Sequence, residues 1–173
     1  LLSVSVRNQL LTAHAGALPE DPGSVLTGLN DAFPMEQHGL QYFTIWYGIY
    51  DTRSRSLSYA SGGHPPAVRL RGGQLTDLGS PSLPVGAWSG TCYTTEVAQL
   101  EAGDRLYVFS DGAYEVIRPA GGAFTRHEFA ELLRDTASRT AHGTDCKACL
   151  DGVLDHVRGI QEAATFSDDC SLL

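Results

Sequence analysis

The chain has little positive charge and no long hydrophobic run. Its 173 residues include 12 Lys and Arg against 20 Asp and Glu, which gives a net charge of −8. Because an acidic surface repels phosphate backbones and anionic lipids, this excess disfavours a nucleic-acid-binding protein and a membrane-surface protein. No apolar run approaches the roughly 20 residues that a bilayer-spanning helix needs. We therefore expect neither a nucleic acid nor a membrane among the partners.

Charged residues and cysteines are also scarce. With 18% charged and 42% hydrophobic residues, the composition excludes a disordered chain, and the length fits one domain over residues 1–173. Four cysteines in this spacing do not form a secreted disulfide scaffold, so a reducing cytoplasm is the expected location. The chain opens with Leu1, and its single methionine is Met35. We interpret it as trimmed from a longer protein, without a signal peptide at its start.

The hydrophobic pattern predicts helices at both ends of the chain and strands between them. Apolar residues at three- and four-residue steps predict a helix over 1–18, and Asp21 with Pro22 predicts the start of a second helix that ends by Pro34. The segment 42–50, rich in aromatic and β-branched residues, is expected to be a strand buried on both faces. The further expected strands are 57–60, 67–70, 74–78, 93–100, 104–109 and 170–173, and the further helices are 127–137 and 144–160. This order predicts an α+β fold in which helices cover a sandwich of sheets.

Three aspartates follow or precede predicted strands. Asp111 follows the buried strand 104–109, and Asp168 and Asp169 come just before the last strand. Divalent cations such as Mg²⁺ take oxygen ligands, so Asp111 and one member of the pair could hold an ion if the two strand ends meet. The alternatives are that Asp111 caps a helix beginning near residue 113 and that Asp168 and Asp169 lie in a solvated loop.

Other candidate residues have a structural interpretation beside the chemical one. His64 stands between glycines and prolines, which is more typical of a rigid loop than of a ligand. Cys146 and Cys149 have the spacing of half a zinc site, but Cys149 falls on an apolar helix face and no second pair exists. The chain has no Gly-x-Ser-x-Gly elbow and no Gly-x-Gly-x-x-Gly loop. Composition alone leaves a Ser-His-Asp triad open.

Taken together and in order, these segments resemble the bacterial SpoIIE-type branch of the metal-dependent, type-2C-like protein serine/threonine phosphatases. The matching segments, which span nearly the whole chain, are 43–51, 57–66, 83–86, 100–104, 106–115 and 168–173. The resemblance implies an α-β-β-α sandwich of two antiparallel sheets flanked by helices. It also implies two Mn²⁺ or Mg²⁺ ions and a metal-activated water, rather than a catalytic side chain, that attacks phosphoserine or phosphothreonine.

The resemblance also assigns expected roles to residues and partners. Asp111 and Asp168 match the family's metal-binding aspartates, with Asp169 as the second candidate of the pair. Gly63, His64 and Gly112 match positions at the edge of the site. The implied substrate is a phosphorylated signalling protein such as an anti-sigma-factor antagonist, and the implied neighbour is an upstream receiver or sensor domain in the parent chain.

One segment of the family pattern has no counterpart in this sequence. The family's first strand carries a Gly-Gly-Asp segment whose aspartate bridges the two metals, and no such segment occurs between residues 1 and 173. We expect either that this strand lies upstream of residue 1 or that the protein is a degenerate member. The first case predicts a phosphatase, and the second predicts a pseudophosphatase that acts as a regulatory protein-binding module.

Overall fold

The structure is a computed structural model that describes residues 21–79, 81–119, 121–139, 146–161 and 170–173. The helix predicted over 1–18 lies outside these residues. The helices are α1 (Pro22–Ala32), α2 (Arg126–Arg139) and α3 (Cys146–Gln161), and the strands are β1 (Ile45–Asp51), β2 (Ser56–Gly62), β3 (Ala67–Arg71), β4 (Gln74–Leu78), β5 (Glu96–Gln99), β6 (Arg105–Tyr107), β7 (Val116–Ile117) and β8 (Ala123–Phe124). The chain divides into two compact units, residues 1–66 with 79–101 and residues 67–78 with 102–173. None of the helices in the described ranges is long and apolar enough to cross a membrane.

Helix α1 begins and ends where the sequence predicts. The Asp21 carboxylate accepts a hydrogen bond from the Ser24 backbone N–H at 3.0 Å, and Pro22 occupies the first turn, where its missing N–H costs nothing. The helix ends before Pro34. Its apolar face forms the core of the first unit together with residues of β2 and two loops. The buried members of this core are Val25, Leu26, Leu29, Phe33, Ala60, Val85 and Tyr93.

The first unit contains an antiparallel sheet in the order β1-β2-β5. The predicted hairpin is confirmed, with Ile49 of β1 opposite Ser58 of β2. The prediction that β1 is buried on both faces is wrong, because β1 is an edge strand and Gly48 and Tyr50 are exposed. The aromatic residues of β1 are instead explained by a different contact on each face of the strand. One face packs against the core of α1, and Trp46 on the other face stacks on Tyr59 at a centroid distance of 5.7 Å.

The strand predicted over 93–100 is shorter in the structure and covers only β5. Residues 93–95 instead bind the first turns of α1. The Tyr93 backbone N–H donates to the Thr27 hydroxyl at 3.1 Å, and the Gly23 N–H donates to the Thr95 hydroxyl at 2.8 Å. One bond satisfies a backbone donor at the helix start, and the other uses the Tyr93 N–H that a ladder would need, so residues 93–95 lie against α1 although their sequence alternates.

The second unit contains the sheet β4-β3-β6, the small ladder β7-β8, and helices α2 and α3. The predicted hairpin of β3 and β4 is confirmed, with Leu70 opposite Leu75. Both predicted helices are confirmed as α2 and α3. They bury their apolar faces in one core, whose fully buried large side chains are Val68, Phe109, Val116, Phe129, Leu133, Val153 and Val157.

Helix α2 starts with a reciprocal pair of hydrogen bonds between Thr125 and Glu128. The Thr125 N–H donates to the Glu128 carboxylate at 2.8 Å, and the Glu128 N–H donates to the Thr125 hydroxyl at 3.2 Å. This is a capping box, which satisfies two backbone donors that the helix itself leaves free. Arg118 forms an ion pair with the same carboxylate at 2.6 Å. The hydrogen bonds from Thr125, followed by the one from Arg118, lower the pKa of Glu128 below its ordinary value of 4.5.

This lowered pKa predicts a pH-dependent difference between the wild-type protein and Glu128→Gln. A carboxylate whose folded pKa is depressed stabilises the fold above the unfolded pKa, and this contribution disappears as the pH falls through the folded pKa. We expect the variant to be less stable at neutral pH and the difference to close as the pH falls below 4.5. Urea unfolding across this pH range measures it, with the exposed Glu36→Gln as control. A difference that stays constant with pH would contradict the assignment.

Candidate metal centre

Asp111 lies in a short turn directly after the segment that continues β6. A 3₁₀ helix spans Asp111–Ala113, and the backbone N–H groups of Tyr114 and Glu115 both donate to the Asp111 carbonyl, at 2.9 and 2.8 Å. Gly112 and Ala113 are buried beneath this turn. The structure thus has no α-helix beginning at residue 113, so Asp111 is not the cap of such a helix. It is the first residue of a tight turn anchored on the core.

The Asp111 carboxylate is exposed and has few partners. Its Oδ1 accepts one hydrogen bond from the Gly112 N–H at 3.0 Å. None of the ion pairs found among the described residues involves Asp111. As far as the described residues are concerned, the exposed carboxylate can accept a cation without first breaking a salt bridge. The Gly112 N–H donates the hydrogen bond that orients the Asp111 carboxylate. This is what the structure shows for Gly112, which the family resemblance places at the edge of the site.

The C-terminal segment pairs with the strand end that carries Asp111. Val108 and Leu173 exchange backbone hydrogen bonds at 3.1 and 2.9 Å, and Phe109 stands opposite Leu172 in an antiparallel bridge. The Ser110 N–H donates to the Ser171 carbonyl at 3.0 Å, and the Ser171 N–H donates to the Ser110 hydroxyl at 2.9 Å. The two predicted strand ends therefore meet.

The other two predicted metal ligands, Asp168 and Asp169, lie outside the described residues. In the sequence they directly precede Cys170. Within the described part of the chain, no three His, Cys, Asp or Glu side chains are close enough together to hold a metal ion. Asp111 is thus the one predicted ligand that the structure describes, and it supplies the hard carboxylate oxygen that Mn²⁺ and Mg²⁺ prefer.

Two carboxylates and a half-buried tyrosine ring lie at the Asp111 turn. Burial raises the pKa of the Tyr114 hydroxyl, and the carboxylates of Glu115 and Asp111 raise it further, whereas Arg126 lowers it. The Tyr114 ring packs edge-on against Phe109 at a centroid distance of 6.0 Å. The turn therefore combines two neighbouring carboxylates, which attract cations, with an aromatic anchor that holds the turn in place.

Gly63 lies in the first unit, at the end of β2, and its conformation requires glycine. Its φ angle is +69°, and a Cβ at this position would lie 2.8 Å from Pro84 Cγ. The Gly63 N–H donates to the Ser82 hydroxyl at 3.0 Å, and that hydroxyl donates to the Ser61 carbonyl at 2.6 Å. Gly63 is thus held tightly against the segment of residues 82–84.

His64 is also fixed by hydrogen bonds of its own segment. Its Nδ1 lies 2.8 Å from the Pro65 carbonyl oxygen, and the Ser61 hydroxyl donates to the His64 carbonyl at 2.9 Å. Since a carbonyl oxygen can only accept, Nδ1 carries the proton, and in the neutral ring Nε2 keeps its lone pair. These contacts describe a rigid loop, and a role for His64 at the edge of a metal site stays a prediction.

Sequence reasoning missed Asn30, a buried polar residue of α1. Its Oδ1 accepts from the Gly86 N–H at 2.9 Å, and its Nδ2 donates to the Trp88 carbonyl at 3.0 Å. The side chain is almost completely buried, with 1% exposed. Asn30 therefore fixes the 84–88 segment on α1. Its position four residues after Leu26, on the apolar face, was the available signal, because a polar residue there needs partners.

Solved structures with a similar fold define the class of this protein. The phosphatase domain with part of the regulatory domain of SpoIIE from Bacillus subtilis superposes with a TM-score of 0.77 at 19% identity, covering 98% of this chain and 48% of that one. The RsbU and RsbW domains of Rv1364c from Mycobacterium tuberculosis superpose with a TM-score of 0.71 at 24% identity, covering 97% and 44%. The chain thus has the fold of the PP2C phosphatase domains, which confirms the predicted α+β sandwich class.

The sequence comparisons place the chain within this class. The sequence model of the family described as Stage II sporulation protein E (SpoIIE) matches residues 1–173, so the chain belongs to the SpoIIE family of phosphatase domains. It is 28% identical over 124 residues to the phosphoserine phosphatase RsbU of Bacillus subtilis (strain 168), which covers 69% of this chain and 37% of RsbU. The chain therefore spans little more than a third of that relative's length.

Proposed function

We propose that residues 1–173 form the catalytic domain of a metal-dependent phosphatase that hydrolyses phosphoserine or phosphothreonine on a signalling protein. The observation that carries the proposal is the exposed Asp111 carboxylate at a strand end that pairs with the C-terminal segment. Asp168 and Asp169 precede that segment by only a few residues. Membership of the SpoIIE family over the whole chain and similarity to a phosphoserine phosphatase support the same activity.

The donor chemistry of the proposed site suits a hard divalent cation. Asp111, Asp168 and Asp169 would hold Mn²⁺ or Mg²⁺, since these ions take carboxylate and water oxygens. Two such ions, when bound, lower the pKa of a coordinated water and neutralise phosphoryl oxygens. The protein's own contribution is to hold the Asp111 carboxylate in place through Gly112 and the buried turn. Gly63 and His64 are proposed to shape the edge of the site.

The proposed substrate is a phosphorylated regulatory protein, with an anti-sigma-factor antagonist as the form that the family resemblance implies. Similarity to RsbU supports a role in signalling. An acidic chain of net charge −8 favours a partner with a basic docking patch, since complementary charges speed association. We further propose that the domain works in the cytoplasm, behind a receiver or sensor domain.

Hydrolysis of a phosphoserine peptide with added Mn²⁺ tests this proposal. The chain should be assayed with its native upstream sequence and compared with residues 1–173 alone. We expect phosphate release that requires Mn²⁺, that a chelator abolishes and that returns when Mn²⁺ is added back. The absence of both hydrolysis and Mn²⁺ binding in the longer chain would contradict the phosphatase. It would leave the alternative of a pseudophosphatase that binds a regulatory partner.

A further inference from the structure

Helix α3 begins with two cysteines one turn apart in different environments. Cys146 is exposed, whereas Cys149 is 2% exposed and belongs to the core of the second unit. Residues three apart on a helix lie on the same face, with Cβ atoms about 5–6 Å apart. The Cys-x-x-Cys spacing thus sets an accessible thiol beside a protected one.

The buried sulfur of Cys149 is surrounded by hydrogen-bond donors. Arg105 Nη1 lies 3.9 Å from its Sγ, and the Tyr107 hydroxyl lies 3.8 Å from it. Arg105 and Tyr107 stand two residues apart on β6, so both side chains reach the sulfur from the same face of the strand. The guanidinium can only donate, whereas either the Tyr107 hydroxyl or the Cys149 thiol can be the donor of the contact between them. Two polar groups, one of them cationic, therefore contact Cys149 Sγ, and the guanidinium can donate a hydrogen bond to this sulfur in its reduced form.

Solvent reaches the charged part of this cluster. Arg105 lines an open cavity of about 180 Å³ together with Gly72, Gly73 and Ser138. Cys146 is the first residue of α3, where backbone N–H groups have no partner within the helix. A disulfide needs Cβ atoms only about 1–2 Å closer than they stand in a regular helix.

We propose that Cys146 and Cys149 form a reversible disulfide, which makes the start of α3 a thiol–disulfide exchange site for small disulfides. The exposed Cys146 thiolate attacks a disulfide RSSR, forms the mixed disulfide Cys146–S–SR and releases one RS⁻. The Cys149 thiolate then attacks the Cys146 sulfur, breaks its bond to SR and releases the second RS⁻. Two protein thiols are oxidised by two electrons, and RSSR is reduced to two RSH.

Equilibration with glutathione tests this site in the full chain. The protein is incubated with mixtures of reduced and oxidised glutathione and a metal chelator, its free thiols are alkylated, and its peptides are mapped by mass spectrometry. We expect a Cys146–Cys149 disulfide that forms and reverses with the mixture. Alkylation of both Cys146 and Cys149 in every mixture would overturn the proposal, and so would a persistent glutathione adduct on Cys146.

Matched variants distinguish a thiol–disulfide exchange site from a cysteine that is merely exposed. In Cys149→Ser, the glutathione adduct on Cys146 should accumulate because nothing resolves it, whereas Cys92→Ser should behave as the wild type. Arg105→Gln removes the charge that stabilises the reduced form, so the disulfide should become about tenfold harder to reduce, equivalent to about 30 mV. Arg105→Lys should stay near the wild-type value. An unchanged midpoint in Arg105→Gln would overturn the role given to the guanidinium.

Discussion

Asp111→Asn is expected to lower the Mn²⁺-dependent hydrolysis rate by about a hundredfold or more. The amide keeps the shape of the side chain but removes the negative charge that an ion requires. Loss of about 3 kcal/mol of metal-supported charge stabilisation corresponds to a rate decrease of this size. The turn should stay folded, because the side chain is exposed and, among the described residues, accepts a single hydrogen bond, from Gly112. Initial rates at saturating Mn²⁺, measured together with Mn²⁺ affinity, check this result.

Asp155→Asn provides the matched control for this variant. It makes the same change of charge on α3, at a side chain that is 75% exposed and pairs with Arg158 at 3.2 Å. A surface substitution of this kind changes stability by only about 0.5 kcal/mol, and we expect the rate to stay at the wild-type level. Equal losses of rate in both variants would show that overall charge matters rather than ligation by Asp111. Full activity in Asp111→Asn would remove this residue from the proposed metal site.

Phe129→Ala is expected to destabilise the protein by about 3–5 kcal/mol. Phe129 of α2 is fully buried, and its ring packs against Phe109 at 4.8 Å and Phe124 at 6.4 Å between centroids. Truncation removes the buried ring and leaves a cavity in the core of the second unit. Since Phe109 lies two residues before Asp111, the same change should loosen the turn that holds the candidate ligand. Urea unfolding measures the stability, and Mn²⁺ affinity in the folded fraction measures the turn.

Two further variants test whether the loss of stability in Phe129→Ala comes from its buried ring. Phe129→Leu keeps most of the apolar volume and should cost markedly less than the alanine variant. Ile117→Ala truncates a side chain that is 77% exposed and should change the free energy of unfolding by less than about 0.5 kcal/mol. If Phe129→Ala were as stable as Ile117→Ala, the ring cluster would not form the core of this unit.

Several features of the fold followed directly from local sequence chemistry. Asp21 with Pro22 marked the start of α1, and the apolar spacing of α2 and α3 marked two helices that the structure confirms. The hairpins were visible because polar or glycine-rich turns separate runs of β-branched and aromatic residues. Asp111 was found for a similar reason, since a carboxylate and a glycine directly after a buried strand stand out from the surrounding pattern.

The sequence by itself determined the element types, the family and the candidate carboxylates, because periodicity, turn residues and ordered motifs are local properties. Burial and pairing were decided by the tertiary structure. It makes β1 an edge strand, places residues 93–95 on α1 instead of in a ladder, and turns Asn30 into the anchor of the 84–88 segment. It also brings the C-terminal segment beside Ser110, and Arg105 beside Cys149. These contacts join residues 44 to 66 positions apart, and no local pattern encodes which partner a polar group finds at such separations.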